Sequence, residues 1–123
     1  MFPKEIPNWI DGQERASMSG EWFDKLNPAN GKLLCRAARS RAEDVQQAVD
    51  GAKLAQTAWA ETPAVQRGMI LHKIVVGMQN RQAEIAAIVA AETGKSNKEA
   101  LGEVGAAIQC GLFYASEGQR LYG

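Results

Sequence analysis

The sequence predicts an α+β chain: an amino-terminal β-hairpin arm over residues 1–38, then about four amphipathic helices over residues 39–123. Three observations carry this. The turn dipeptides Asp11-Gly12 and Asn30-Gly31 sit among short, aromatic, partly alternating runs. Two capping-box signatures, Ser40-Arg41-Ala42-Glu43 and Ser96-Asn97-Lys98-Glu99, open long stretches. After Ser40 the apolar residues recur at helical spacing.

In the arm, Asn8-Trp9-Ile10 runs into Asp11-Gly12, and Gln13-Glu14-Arg15 returns beside it as a hairpin. Past the flexible stretch from Ser17 to Gly20, Trp22-Phe23-Asp24-Lys25-Leu26 reads as the next strand. Asn27-Pro28-Ala29-Asn30-Gly31 then makes a turn suited to positive φ, and residues 32–38 pair back. Hairpins by themselves are marginal in water, so the arm is expected to lie against something else.

The first helix starts at the Ser40 cap and places Val45, Ala48, Val49, Ala52, Ala55 and Trp59 on one face. Gly51 inside it costs about 1 kcal/mol against alanine. Thr62-Pro63 opens the second, where proline's missing N–H does no harm, and Val65, Met69, Ile70, Ile74 and Met78 are expected to face inward. A break near residues 80–82 separates it from a third helix carrying Ile85, Ala86, Ile88 and Val89 on its apolar side, the alternative being one bent helix. Gly94 can take positive φ at its end, and a two- or three-residue link turns the last helix back beside it. That helix runs from about Asn97 to Ser116, with Leu101, Val104, Ile108, Leu112 and Ala115 on one side. Its glycines, Gly102, Gly105 and Gly111, are expected to lie close against another backbone, the alternative being a weak helix end.

Composition excludes several classes. The 123 residues carry 14 basic and 14 acidic side chains with no basic run, so nucleic-acid binding has no electrostatic support. No stretch approaches the roughly 18 apolar residues of a membrane span, and the first residues hold no apolar run of signal-peptide length. The expected location is therefore cytoplasmic. Gly94-Lys95-Ser96 matches the tail of a P-loop, but Val89 stands where the motif needs its first glycine, so a capped helical turn is the expected explanation. Cys35 and Cys110 lack any C-x-x-C partner and are expected to be buried, reduced thiols. His72, beside Lys73 on a helix flank, is expected to be solvated.

An arm holding NPANGK, a capped helix beginning SRAEDVQQAV, the pair Trp59-Ala60, a helix holding QRGMILHKI and then AAETGKSNKEALGEV form an ordered set. This set resembles the amino-terminal portion of the NAD(P)-dependent aldehyde dehydrogenase superfamily, from about Trp9 to Gly123. The closing SEGQRLYG is similar to the branch that oxidises succinate or ketoglutarate semialdehyde.

The resemblance implies a fragment of a larger α/β fold. The parent would convert an aldehyde to a carboxylate by thiohemiacetal formation, hydride transfer to NAD or NADP, and thioester hydrolysis. The family's nucleophilic cysteine, general-base glutamate, oxyanion-stabilising asparagine and glycine-bearing cofactor turn have no match here, and neither Cys35 nor Cys110 stands in the nucleophile's context. No catalytic, cofactor-binding or metal-ligating residue is therefore assigned, and no cofactor is expected on this chain by itself. The helices resemble those flanking the cofactor domain, and the arm resembles strands that join the oligomerisation region. The implied partners are the remainder of the parent polypeptide and, in a homo-oligomer, further copies. Some relatives hold a monovalent cation through positions matching the Leu26 carbonyl and Glu92, with a further ligand from the missing part. Ala107 or Cys110 would border the substrate tunnel, although core packing is the simpler duty for both. The alternative reading is a stand-alone, non-catalytic helical binding or oligomerisation module; a small structural protein with its own oligomeric interface is a third.

Overall fold

The computed structural model describes residues 2–121 and separates the chain into two compact units, Met1–Ala60 and Glu61–Gly123. The first unit contains β1 (Glu5–Ile6), β2 (Asn8–Ile10), β3 (Gln13–Arg15), β4 (Trp22–Leu26), β5 (Leu33–Ala38) and all but the last residue of helix α1 (Ala42–Glu61). Helix α1 thus belongs with the arm, and the compact unit runs past residue 38.

Both expected hairpins form. β2 and β3 pair antiparallel in the register Ile10 with Gln13, and Asp11 and Gly12 both take positive φ, 54° and 73°. That is the turn whose twist matches paired strands. β4 and β5 pair antiparallel with a register shift after Lys25, and β1 adds to the far side of β5 in parallel, giving the order β1-β5-β4. The parallel strand is new: two residues carry too little pattern to be read in sequence.

What the arm lies against is α1, through Asp44. This carboxylate is 3% exposed and accepts from the Met18 N–H (2.8 Å) and the Arg41 N–H (2.8 Å). The second bond corrects the expected cap. The Arg41 carbonyl accepts the first helical bond, from the Val45 N–H, so Arg41 is the N-cap and Asp44 reaches back as the third helical residue. The Ser40 hydroxyl donates instead to Asn8 Oδ1 (2.8 Å). Gly51 is explained by close approach, because a Cβ there would sit 1.9 Å from Asp11 Oδ1 in the β2–β3 turn. The apolar face expected to pack is largely uncovered: Ala48 is half-buried, whereas Val45, Val49, Ala52, Ala55 and Trp59 are exposed.

The second unit contains α2 (Ala64–Asn80), α3 (Gln82–Thr93), α4 (Asn97–Ala115) and a 3-10 turn (Glu117–Gln119). Pro63 is the N-cap of α2 rather than its first turn residue, and its carbonyl accepts from the Arg67 N–H. Arg81 (φ −117°, ψ 18°) breaks α2 from α3 where a break was expected. The core is Val75, Ala86, Ala100, Val104 and Ile108, with Leu71, Met78, Ile85, Val89 and Leu112 packed on it. Among the expected inward residues of α4, Leu101 is exposed and Ala100 takes the core position.

The inward stripe of α2 differs from expectation. Leu71, Val75 and Met78 face the core, while Val65, Met69, Ile70 and Ile74 are exposed. The reason is Gly68, where a Cβ would lie 2.3 Å from the Ala115 carbonyl oxygen. A glycine lets the helices touch backbone to backbone, and that contact selects the stripe. The glycines expected to do this in α4 do not: Gly111 meets the Val75 side chain (2.5 Å from a built Cβ), Gly105 meets Gln82 Nε2, and Gly102 has nothing within 4 Å among the described residues.

Candidate functional site

The Gly94–Ser96 turn is the place where a sequence reader would look for a phosphate. Gly94 closes α3 in the left-handed conformation (φ 75°), its N–H donating to the Ala90 carbonyl. Ser96 caps α4: its hydroxyl accepts from the Glu99 N–H (3.2 Å), and the Glu99 carboxylate accepts from the Ser96 N–H (3.1 Å) and hydroxyl (2.8 Å). Lys95 pairs with Glu103. A groove of about 440 Å³ beside the turn is lined by Lys95, Glu99, Gly102, Glu103 and Ala106, two carboxylates to one ammonium. A phosphate would meet net negative charge there, so the turn is a helix start.

The Ser96 hydroxyl, then its backbone N–H, hold the Glu99 carboxyl below the usual carboxylate range. A group depressed in the folded state stabilises above its unfolded value, and that contribution is lost as pH falls through the folded value. The amide protection of Ser96 and Glu99 is therefore expected to fall on acidification below the ordinary carboxylate range, and a Glu99→Gln variant is expected to lose that pH dependence. Hydrogen exchange across an acid series measures this; protection indifferent to pH in the parent sequence would contradict it.

A second concavity, about 210 Å³, lies where α2 meets the end of α4, with Gly68, Met69, Leu112 and Ala115 at its walls and His72, Lys73 and Gln119 also lining it. His72 is exposed, as expected. Among the described residues no carboxylate and neither cysteine lines this cavity, so they offer His72 no acid to orient it and no thiol to activate there. In the first unit, a cavity of about 170 Å³ is lined by Asn8, Trp9, Ile10, Ser40, Asp44 and Val45; Asn8 Nδ2 is buried without a hydrogen-bond partner among the described residues.

Cys35 on β5 is buried (3% exposed), whereas Cys110 is exposed, which corrects the expectation for the second thiol. Cys110 lies on the outward face of α4, two positions past the core residue Ile108. Ala107 is likewise exposed. Leu26 ends β4 and Glu92 lies in the last turn of α3, each in its own unit. Among the described residues, no group of three or more His, Cys, Asp or Glu side chains is placed to hold a metal ion. Among those residues, too, no helix is long and apolar enough to cross a membrane. Asp44 was missed in sequence as a structural anchor, because its second partner, Met18, lies far away along the chain.

The aldehyde dehydrogenase family model matches residues 14–123. The chain belongs to the aldehyde dehydrogenase family. It is 37% identical over 118 residues to malonate-semialdehyde dehydrogenase 1 of Geobacillus kaustophilus, covering 96% of this chain and 24% of that protein. It is 38% identical over 117 residues to the alpha-ketoglutaric semialdehyde dehydrogenase of Bacillus subtilis, covering 94% and 24%. The crystal structure of lactaldehyde dehydrogenase from Escherichia coli superposes with a TM-score of 0.92 at 34% identity, over 99% of this chain and 26% of that one. The chain thus spans about a quarter of the length of these relatives.

Proposed function

We propose that this chain is the amino-terminal scaffold segment of an NAD(P)-dependent aldehyde dehydrogenase that oxidises a semialdehyde to a carboxylate. The observation that carries the proposal is the continuous match of residues 14–123 to the family model, supported by the semialdehyde dehydrogenases among the relatives. In this reading the helices flank the cofactor domain and the arm joins an oligomeric interface. The Gly94–Ser96 turn does not fit the phosphates of a dinucleotide. At the phosphate-like turn, Lys95 is paired with Glu103 and Ser96 with Glu99, so no chemical step is assigned to this chain.

The isolated chain is expected not to reduce NAD or NADP with malonate semialdehyde, ketoglutarate semialdehyde or lactaldehyde. Joined in place of the equivalent segment of the Escherichia coli lactaldehyde dehydrogenase, it is expected to support cofactor reduction by the chimaera. Absorbance of the reduced nicotinamide reads both arms. Reduction by the isolated chain that vanishes in Cys110→Ala, or a folded chimaera without activity, would overturn the proposal.

The closed core of the second unit favours one rival, a stand-alone, non-catalytic helical module. Light scattering over a dilution series separates them. The scaffold segment, with Ile70, Ile74, Phe113 and Tyr114 uncovered, is expected to self-associate or bind an apolar dye. A dye-negative monomer would favour the module.

A further inference from the structure

We propose that Asn30 is a site of spontaneous covalent modification, converting through a succinimide to aspartate and isoaspartate, and that the β4–β5 turn sets its rate. The chemistry is intramolecular. The backbone nitrogen of the following residue gives up its proton to hydroxide and attacks the asparagine Cγ. The Cγ–Nδ2 bond breaks, the leaving nitrogen takes a proton from water and departs as ammonia, which restores the hydroxide, and water then opens the five-membered ring at either carbonyl. The attacking nitrogen must be reachable, so a following glycine, which has no side chain in the way, favours ring closure.

The chain has five asparagines, and one of them precedes glycine. Asn27 precedes proline, whose nitrogen has no proton to lose, and Asn8, Asn80 and Asn97 precede the bulky Trp9, Arg81 and Lys98. Asn80 ends a helix, and the Arg81 N–H donates to the Met78 carbonyl. Asn30 and Gly31 are both exposed, so hydroxide and water reach them.

Two hydrogen bonds act on the reacting atoms in opposite directions. The Lys32 N–H donates to Asn30 Oδ1 (2.9 Å), which folds the amide back along the chain and stabilises negative charge on that oxygen as Cγ is attacked. The Gly31 N–H donates to the Asn27 carbonyl (2.7 Å), which ties up the nucleophile until the turn opens. Native Asn30 therefore reacts, but through an opened turn. The isoaspartate product adds a carbon to the backbone, and both products place a new negative charge in the turn.

The test is incubation of the full chain at mildly alkaline pH, native and in denaturant, followed by tryptic mapping of residues 26–32 and an isoaspartate-specific assay. In the native chain Asn30 is expected to convert ahead of Asn8, Asn27, Asn80 and Asn97, and several-fold more slowly than in denaturant, reflecting the cost of releasing the Gly31 N–H. The Asn30→Gln variant, whose ring would need an extra atom, is expected to abolish the signal with an unchanged circular dichroism spectrum. A native chain in which another asparagine converts first would overturn the proposal. So would a native chain in which Asn30 stays intact while the denatured chain converts, or one that converts as fast as the denatured chain.

Discussion

Replacing Gly68 with alanine is expected to lower the stability of the helical unit by about 2–3 kcal/mol, although alanine is the better helix former. The new Cβ would sit 2.3 Å from the Ala115 carbonyl oxygen. That atom is backbone and cannot rotate away, so α4 must shift and loosen its contacts near Leu71 and Val75. Gly77 is the internal control: among the described residues nothing lies within 4 Å of a Cβ there, and Gly77→Ala is expected to stabilise by about 0.5–1 kcal/mol. Denaturant unfolding followed by far-ultraviolet circular dichroism compares the pair. Equal effects at the two positions would mean that the α2–α4 contact does not constrain the fold.

Asp44→Ala is expected to cost the first unit about 3 kcal/mol, by removing two charge-assisted hydrogen bonds and stranding two backbone donors. The Met18 and Arg41 N–H groups lose the acceptor that ties the loop before β4 to the start of α1. All three tryptophans, Trp9, Trp22 and Trp59, lie in this unit, so their fluorescence tracks its unfolding without contribution from the helical unit. Asp44→Asn retains a single acceptor oxygen and is expected to lose less. A fluorescence midpoint unmoved by Asp44→Ala would show that the arm is held by other contacts.

Local chemistry was legible in the sequence, and tertiary choice was not. The Asp11-Gly12 hairpin, the Gly94 stop and the Ser96–Glu99 box each depend on residues a few positions apart, so spacing specifies them. The start of α1 was misplaced by one residue because Ser40 and Asp44 both have capping chemistry, and contacts with Asn8 and Met18 decide between them. The inward face of α2 was misread because apolar residues surround the helix. Periodicity counts side chains, and a position chosen for having none, Gly68, is invisible to it. The same limit applies to chemistry. The sequence signals at His72, Cys110 and Gly94-Lys95-Ser96 were each reducible to helix geometry, and family membership rests instead on the order of weak motifs along residues 14–123.

Because Gly94, Lys95 and Ser96 suffice to join α3 to α4, that pair closes with little loop entropy. Helix α2 meets α4 at the opposite end of the unit's sequence, Gly68 against Ala115 and Val75 against Gly111. Contacts of short sequence separation form fastest, which makes the α3–α4 hairpin the early structure and α2 the late addition. On the ribosome the order of emergence is reversed. Leu71 and Val75 leave the tunnel first and remain uncovered until Ile108 and Gly111 follow. A pause in synthesis before α4 would leave that apolar stripe without its intramolecular partner, the state in which a nascent chain depends on chaperones.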